Sequence, residues 1–167
     1  MGEIFVVLFL LPDMYSTALV IHSFFRWLVL LSLLYAIFRA FRGIQAGARF
    51  SKNDNSIRHW TATISHIQLL LGFAVYLKSP VVNAFWDNPK AASGQMGLLF
   101  FSVIHFALML LAIMVITIGS AKAKRAETDR EKFRTMGVWF AAGLFIIFLA
   151  IPWPFSPLAN RPLLRGF

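Results

Sequence analysis

The chain has no cysteine, which removes disulfides, thiolate metal sites, iron–sulfur clusters and the C-x-x-C-H attachment of c-type haem. Charge is scarce as well: 14% of its 167 residues are Asp, Glu, Lys or Arg, where soluble domains carry about 25%. Acidic residues are the scarcest, seven against sixteen basic ones, and none falls within the long apolar runs. That excludes a carboxylate-bridged di-iron centre, which takes Glu from several helices of a bundle, and weighs against a carboxylate proton relay or cation transporter. There is no nucleophile with an acid/base partner and no Gly-rich phosphate loop.

What is present is hydrophobic. Apolar residues make up 59% of the chain and the mean hydropathy is +0.71, more than a soluble core of this size can enclose. Four apolar runs, at about 17–38, 60–77, 96–118 and 134–151, predict an all-α integral membrane four-helix bundle forming one domain over 1–167. Helices are required because hydrocarbon offers no partner to an unpaired backbone group. Ser16 or Thr17 is placed to cap the first run, Ser79-Pro80 stops the second, Gly119-Ser120 the third, and Pro152, Pro154 and Pro157 the fourth. Residues 1–11 are apolar but shorter than the roughly 20 residues a span needs. With Glu3 in place of a basic n-region and no A-x-A-like site, they read as a lead lying in the interface or beside the bundle. Residues 152–167 read as a tail.

The net charge of +9 is explained by topology rather than by nucleic acid. Arg39, Arg42, Arg49, Lys52 and Arg58 flank the connection after the first run, and Lys122, Lys124, Arg125, Arg130, Lys132 and Arg134 come after the third. The other side has Lys78, Lys90, Arg161 and Arg165, so eleven basic residues face four. The positive-inside rule then puts both basic loops in the cytoplasm and both termini outside. Tyr15, Tyr76, Trp86 and Trp153 fall near the outer interface, and Trp60 and Trp139 near the inner one.

Function in such a bundle is sought among the polar groups its spans tolerate, because each is costly there. The principal ones are His22, Arg26, His66, Gln68 and His105. At 1.5 Å per residue the three histidines lie roughly 8, 17 and 14 Å from the outer ends of their helices, one band across three spans. Two neutral imidazoles on facing helices can hold a haem iron from both sides. His66 and His105 are nearest in depth, with His22 and His105 close behind, so the pair stays open at this point. Gly72, Ala74, Ala107, Ala112, Ala141, Ala142 and Gly143 offer room for a flat ring, or serve helix packing. Arg26 lies four residues beyond His22 and shares its face. A guanidinium at that depth suits a haem propionate, a lipid phosphate or another subunit's carboxylate. Gln68 suits an interhelical hydrogen bond or a quinone contact. Met109 shares a face with His105, where core filling is the ordinary role of a methionine. His59, beside Arg58 and Trp60, reads as an interfacial histidine.

Several short stretches carry a family resemblance: His22-Ser-Phe-Phe-Arg26-Trp27, His66-Ile-Gln68-Leu-Leu-Leu-Gly72, His105 with Met109, Ile118-Gly119 before the Lys/Arg cluster, and Ile151-Pro152-Trp153-Pro154. Over about Ser16 to Phe155 the chain resembles the small bacterial four-helix membrane proteins called cytochrome B or cytochrome b-like. The resemblance implies a b-type haem protein of the inner membrane that exchanges electrons with quinone or a respiratory-chain subunit. Members of that family often have an acidic residue just before the third-span histidine; Ile104 stands there in this chain, against a proton-coupled role. Four paired histidines, as two-haem cytochromes of the membrane use, are lacking, so one haem is the upper expectation.

The expected function is therefore electron transfer through one haem b held by two of His22, His66 and His105, with Arg26 at a propionate and Gln68 nearby. The expected partners are the lipid bilayer, quinone or a respiratory subunit, and a second copy of the chain. A haem-free accessory or assembly subunit, and a small metal or solute permease using His and Met, are the alternatives.

Overall fold

The computed structural model describes residues 14–156 and residue 159. The apolar lead up to residue 13, and Pro157, Arg161 and Arg165 of the tail, lie outside the described residues. Four long helices form the protein: α1 (Met14–Gln45), α2 (Lys52–Lys78), α5 (Met96–Arg125) and α6 (Asp129–Ala150). Two short ones, α3 (Pro80–Asp87) and α4 (Pro89–Ala92), join α2 to α5. All four long helices are long and apolar enough to cross a bilayer, so the chain is a multi-pass membrane bundle of the expected all-α class.

The helices outrun the apolar windows, and for a physical reason. Hydropathy marks where lipid is, whereas helix ends are set by capping. Thus Arg39 and Arg42 still belong to α1, Lys52 and Arg58 belong to α2, and the connection is only residues 46–51. Ser51 caps α2 through a reciprocal box: its hydroxyl accepts from the Asp54 backbone N–H while the Asp54 carboxylate accepts from the Ser51 N–H. Thr128 and Glu131 do the same for α6. The stretch between α2 and α5 is largely helical, because Ser79 and Asn88 cap α3 and α4 with Pro80 and Pro89 at their first positions.

Consecutive spans are neighbours, and α1 also packs on α6, closing a four-helix ring with α2 and α6 on one diagonal. Each helix turns one stripe inward in alternating steps of four and three residues, the repeat of left-handed bundles. On α1 it runs His22, Arg26, Val29, Leu33, Ala36, Ala40, Gly43; on α5 it runs His105, Met109, Ala112, Ile116, Gly119, Ala123. On α2 it is Asp54, Arg58, Thr61, Ser65, Gln68, Gly72; on α6 it is Phe133, Met136, Phe140, Gly143, Ile147, Ala150.

In the basic half α5 and α6 pack tightly, while an open groove of about 350 Å³ lies between α1 and α2 beside Ser32, Tyr35 and Ile57. A Cβ on Gly119 would stand 2.1 Å from the Trp139 Cβ, and one on Gly143 would stand 2.5 Å from Ile116. Gly143, a candidate for admitting a flat ring, is therefore filled by helix packing. Ala112 is fully buried in the same core. Asp54, buried, accepts from Arg39 at 2.7 Å. Arg58, also buried, donates to the Ser120 carbonyl and hydroxyl at 3.1 and 2.5 Å and to Asn55 at 2.9 Å.

Candidate functional site

At the opposite end the same four stripes bring His22, Arg26, Gln68, Gly72, Met109 and His105 around one cavity, with Tyr76, Phe73, Phe101 and Phe106 as an aromatic wall. Its volume is about 170 Å³. Among the described residues no Asp or Glu lines it.

His105 is oriented by a helix ending. Ala150 and Phe148 lie in the last turn of α6, where a carbonyl normally accepts from the residue four positions on. Those residues are Pro154 and Pro152, which have no N–H. The orphaned Phe148 carbonyl is taken by the Trp153 indole at 2.8 Å, and the Ala150 carbonyl by His105 Nδ1 at 2.8 Å. A carbonyl oxygen only accepts, so Nδ1 carries the proton and Nε2 keeps its lone pair. This is the arrangement of a metal-binding imidazole, whose second nitrogen is tied to a carbonyl or carboxylate.

A second device turns His105 inward. Residues Phe100–Ile104 form a π-helical stretch, and the His105 N–H bonds the Phe100 carbonyl. The extra residue rotates the rest of the helix by roughly 100° relative to an unbroken one, and such bulges recur at functional sites. The disturbed backbone is tied down from outside: Tyr76 donates to the Ser102 carbonyl at 3.1 Å, and Trp86 on α3 donates to the Tyr76 hydroxyl at 3.0 Å. Phe100 and Phe101 flank the imidazole with ring centres at 5.9 and 6.4 Å.

His22 faces the same cavity from α1. A Cβ on Gly72 would stand 3.3 Å from its Cε1, so the glycine supplies the room for the ring. Gln68 Nε2 lies 3.2 Å from His22 Nδ1 and 3.4 Å from Nε2, and donates to the His22 carbonyl at 3.0 Å. Gln68 Oε1 is buried and has no partner among the described residues. Arg26, one turn along, lines the cavity with its guanidinium carbon 5.5 Å from the Trp27 ring centre.

His66 is not part of this constellation. It is exposed on the outer side of α2, with Nε2 3.0 Å from Thr117 Oγ1. By depth it is the best match for His105, but depth does not report direction. The inward stripe of α2 passes through Ser65 and Gln68, and His66 is one residue, roughly 100°, off it. His59 is likewise exposed, 5.9 Å ring to ring from Trp60. Depth along the helices also gives no hint of the Ala150 carbonyl, Tyr76 or Ser102. Pro154 is a visible signal for the first; nothing in residues 100–104 announces the π-helical stretch behind the other two.

Among the described residues no three His, Asp or Glu side chains converge. An all-protein zinc or copper site takes three or four such ligands, whereas a porphyrin brings four nitrogens of its own and asks the protein for one or two. Two imidazoles, one with its tautomer fixed, a guanidinium and an aromatic wall fit a haem in chemistry. The cavity of about 170 Å³ is smaller than the roughly 300–1,000 Å³ usual for ligand pockets, so a porphyrin would enter only with outward movement of its lining side chains.

No model of a protein family, no curated protein and no solved structure matches this chain.

Proposed function

We propose that the chain is a membrane electron carrier of the b-type cytochrome kind, with one haem held between His22 and His105. The observation that carries this reading is the His105 imidazole, fixed by the Ala150 carbonyl with its Nε2 lone pair free, in the same cavity as a second imidazole from another helix. Bound there, the iron would supply a one-electron couple. The chain's own residues supply ligation, burial and tuning of the potential, which is what a cofactor of this kind asks of a protein.

Each remaining polar group has a role in that reading. Arg26, which lines the cavity one turn from His22, would bind a propionate. As placed, the Gln68 amide donates toward His22 Nδ1. Ligation through His22 Nε2 requires it to turn and accept from Nδ1–H, which satisfies the buried Oε1 at the cost of the bond to the His22 carbonyl. The aromatic wall keeps water from the ligands. With the basic end in the cytoplasm of a bacterial inner membrane, the site lies in the outer half, open to quinone or a respiratory subunit as donor or acceptor.

The test is an absorption spectrum. Protein purified from haem-replete cells and reduced with dithionite gives a Soret band and an α-band of b type. His22→Ala and His105→Ala each abolish both, while His66→Ala keeps them. A colourless wild-type protein at full haem supply defeats the proposal in favour of an accessory subunit. Metal-dependent uptake lost in His105→Ala defeats it in favour of a permease.

A further inference from the structure

The two connections on the basic side differ in what lies between their helices. Between α5 and α6 the gap is closed: Gly119 meets the Trp139 side chain, and the Lys122 amine lies 4.8 Å from the centre of the Trp139 ring. Between α1 and α2 there is an open groove of about 350 Å³, within the roughly 300–1,000 Å³ usual for ligand sites. It runs along α2 from Asn53 to Ile64, roughly 16 Å at 1.5 Å per residue. With the basic side in the cytoplasm, one end lies at the water level and the other within the inner leaflet. The lining follows that change of solvent. Ile57 and Ile64 are apolar, Tyr35 and Trp60 amphipathic, Asn53 and Ser56 polar. The Asn53 amide, the Ser56 hydroxyl and the Trp60 indole N–H are donors with no hydrogen-bond partner among the described residues.

Charge decides which amphiphile suits the groove. Asp54 is the one acidic residue of α1 and α2, and it is turned inward, 1% exposed, where Arg39 holds it through Nε and Nη2. Arg39 itself is 39% exposed, and its Nη1 takes no part in that pair. It stands one turn beyond Tyr35, with which it interacts electrostatically. Lys52, exposed, precedes Asn53 in the first turn of α2. The outward-facing charge at the shallow end is therefore positive, beside unpaired donors, while the deep end is apolar. A phospholipid of net negative charge has the matching order, a phosphate at the water level and hydrocarbon below it. A zwitterionic lipid would bring a further cation to the two already there. Basic pockets between spans on the cytoplasmic side bind anionic head groups.

We propose that the groove between α1 and α2 binds one anionic phospholipid of the inner leaflet. Arg39 and Lys52 attract its phosphate, Asn53 and Ser56 donate to it, and an acyl chain lies along Ile57, Trp60 and Ile64. The site is at the opposite end of the bundle from the histidine cavity and does not rest on haem.

The test sets the groove against simple attraction to basic loops. Wild-type protein in nanodiscs of equal parts phosphatidylglycerol and phosphatidylcholine, released for native mass measurement, keeps one phosphatidylglycerol per chain. Lys52→Gln lowers that retention by about fivefold, as one cation near an anionic head group contributes. Ser56→Trp, which fills the groove and leaves every charge in place, lowers it at least as far. Arg130→Gln/Arg134→Gln removes two exposed cations from the other basic connection and leaves retention unchanged. The Lys52 and Ser56 side chains are exposed and bond to nothing else among the described residues, so both variants keep wild-type helix content. Equal retention of the two lipids, unchanged retention in Lys52→Gln and Ser56→Trp, a loss in the Arg130/Arg134 variant as large as in Lys52→Gln, or a second chain bound in place of lipid overturns the proposal.

Discussion

The two ends of the bundle treat buried polar groups in opposite ways. At the basic end Asp54, Arg58, Thr61, Ser65 and Ser120 are buried, and each has a protein partner. At the cavity end Gln68 Oε1 and Ser102 Oγ are buried with no partner among the described residues, and imidazole and guanidinium groups surround open space. Buried polar groups are nearly always satisfied, so the first end reads as finished structure and the second as a surface kept for something else. The glycines divide the same way: Gly119 and Gly143 are occupied by neighbouring side chains, while Gly72 leaves room for a ring that lines a cavity.

Substitutions on either side sharpen this contrast. The largest effect is expected at the basic end from Gly119→Val, whose Cβ overlaps the Trp139 Cβ, an atom fixed to the backbone. The helices must part, at about 3 kcal/mol or more, and thermal unfolding in detergent should show a sharp loss of folded protein. Wild-type stability in this variant would break the account of the α5–α6 contact at that end as tightly packed. Next comes Arg58→Ala, which leaves the buried Ser120 acceptors without their donor. It should cost about 1–3 kcal/mol, with pigment, if haem is bound, unchanged in position. The smallest effect belongs to Gln68→Leu at the cavity end. Because it also deletes an unsatisfied oxygen, stability should stay within about 0.5 kcal/mol. The spectrum or midpoint potential of a bound haem should shift instead. A stability loss as large as that of Arg58→Ala would mean that the two ends do not differ as described.

The four spans were legible because hydropathy over eighteen or more residues has few other meanings in a chain of this length. The helix ends were not, since the windows stop where charge begins while Ser51, Ser79, Asn88 and Thr128 decide where helices start. For the site, composition and depth led to His22, Arg26, Gln68 and His105, and the structure brings these four to one cavity. Depth misled on His66. The direction of a side chain was recoverable on α2 from the run Asp54, Arg58, Thr61, Ser65, Gln68, Gly72, an inward stripe that leaves His66 out. On α5 it was not recoverable, because the π-helical stretch at Phe100–Ile104 resets the register just before His105.

The Pro152-Trp153-Pro154 ending has a consequence for how this protein can vary. His105 is aimed by an atom of the main chain, the Ala150 oxygen, which every residue type possesses. Exchange of the Ala150 side chain therefore leaves the acceptor in place. What keeps that acceptor available is a hydrogen that does not exist, the amide proton proline lacks at position 154. Ile151, already extended, takes the chain out of the helix, and Pro154 has no N–H to offer that oxygen, so the orientation of a histidine on one span is written in the way another span ends.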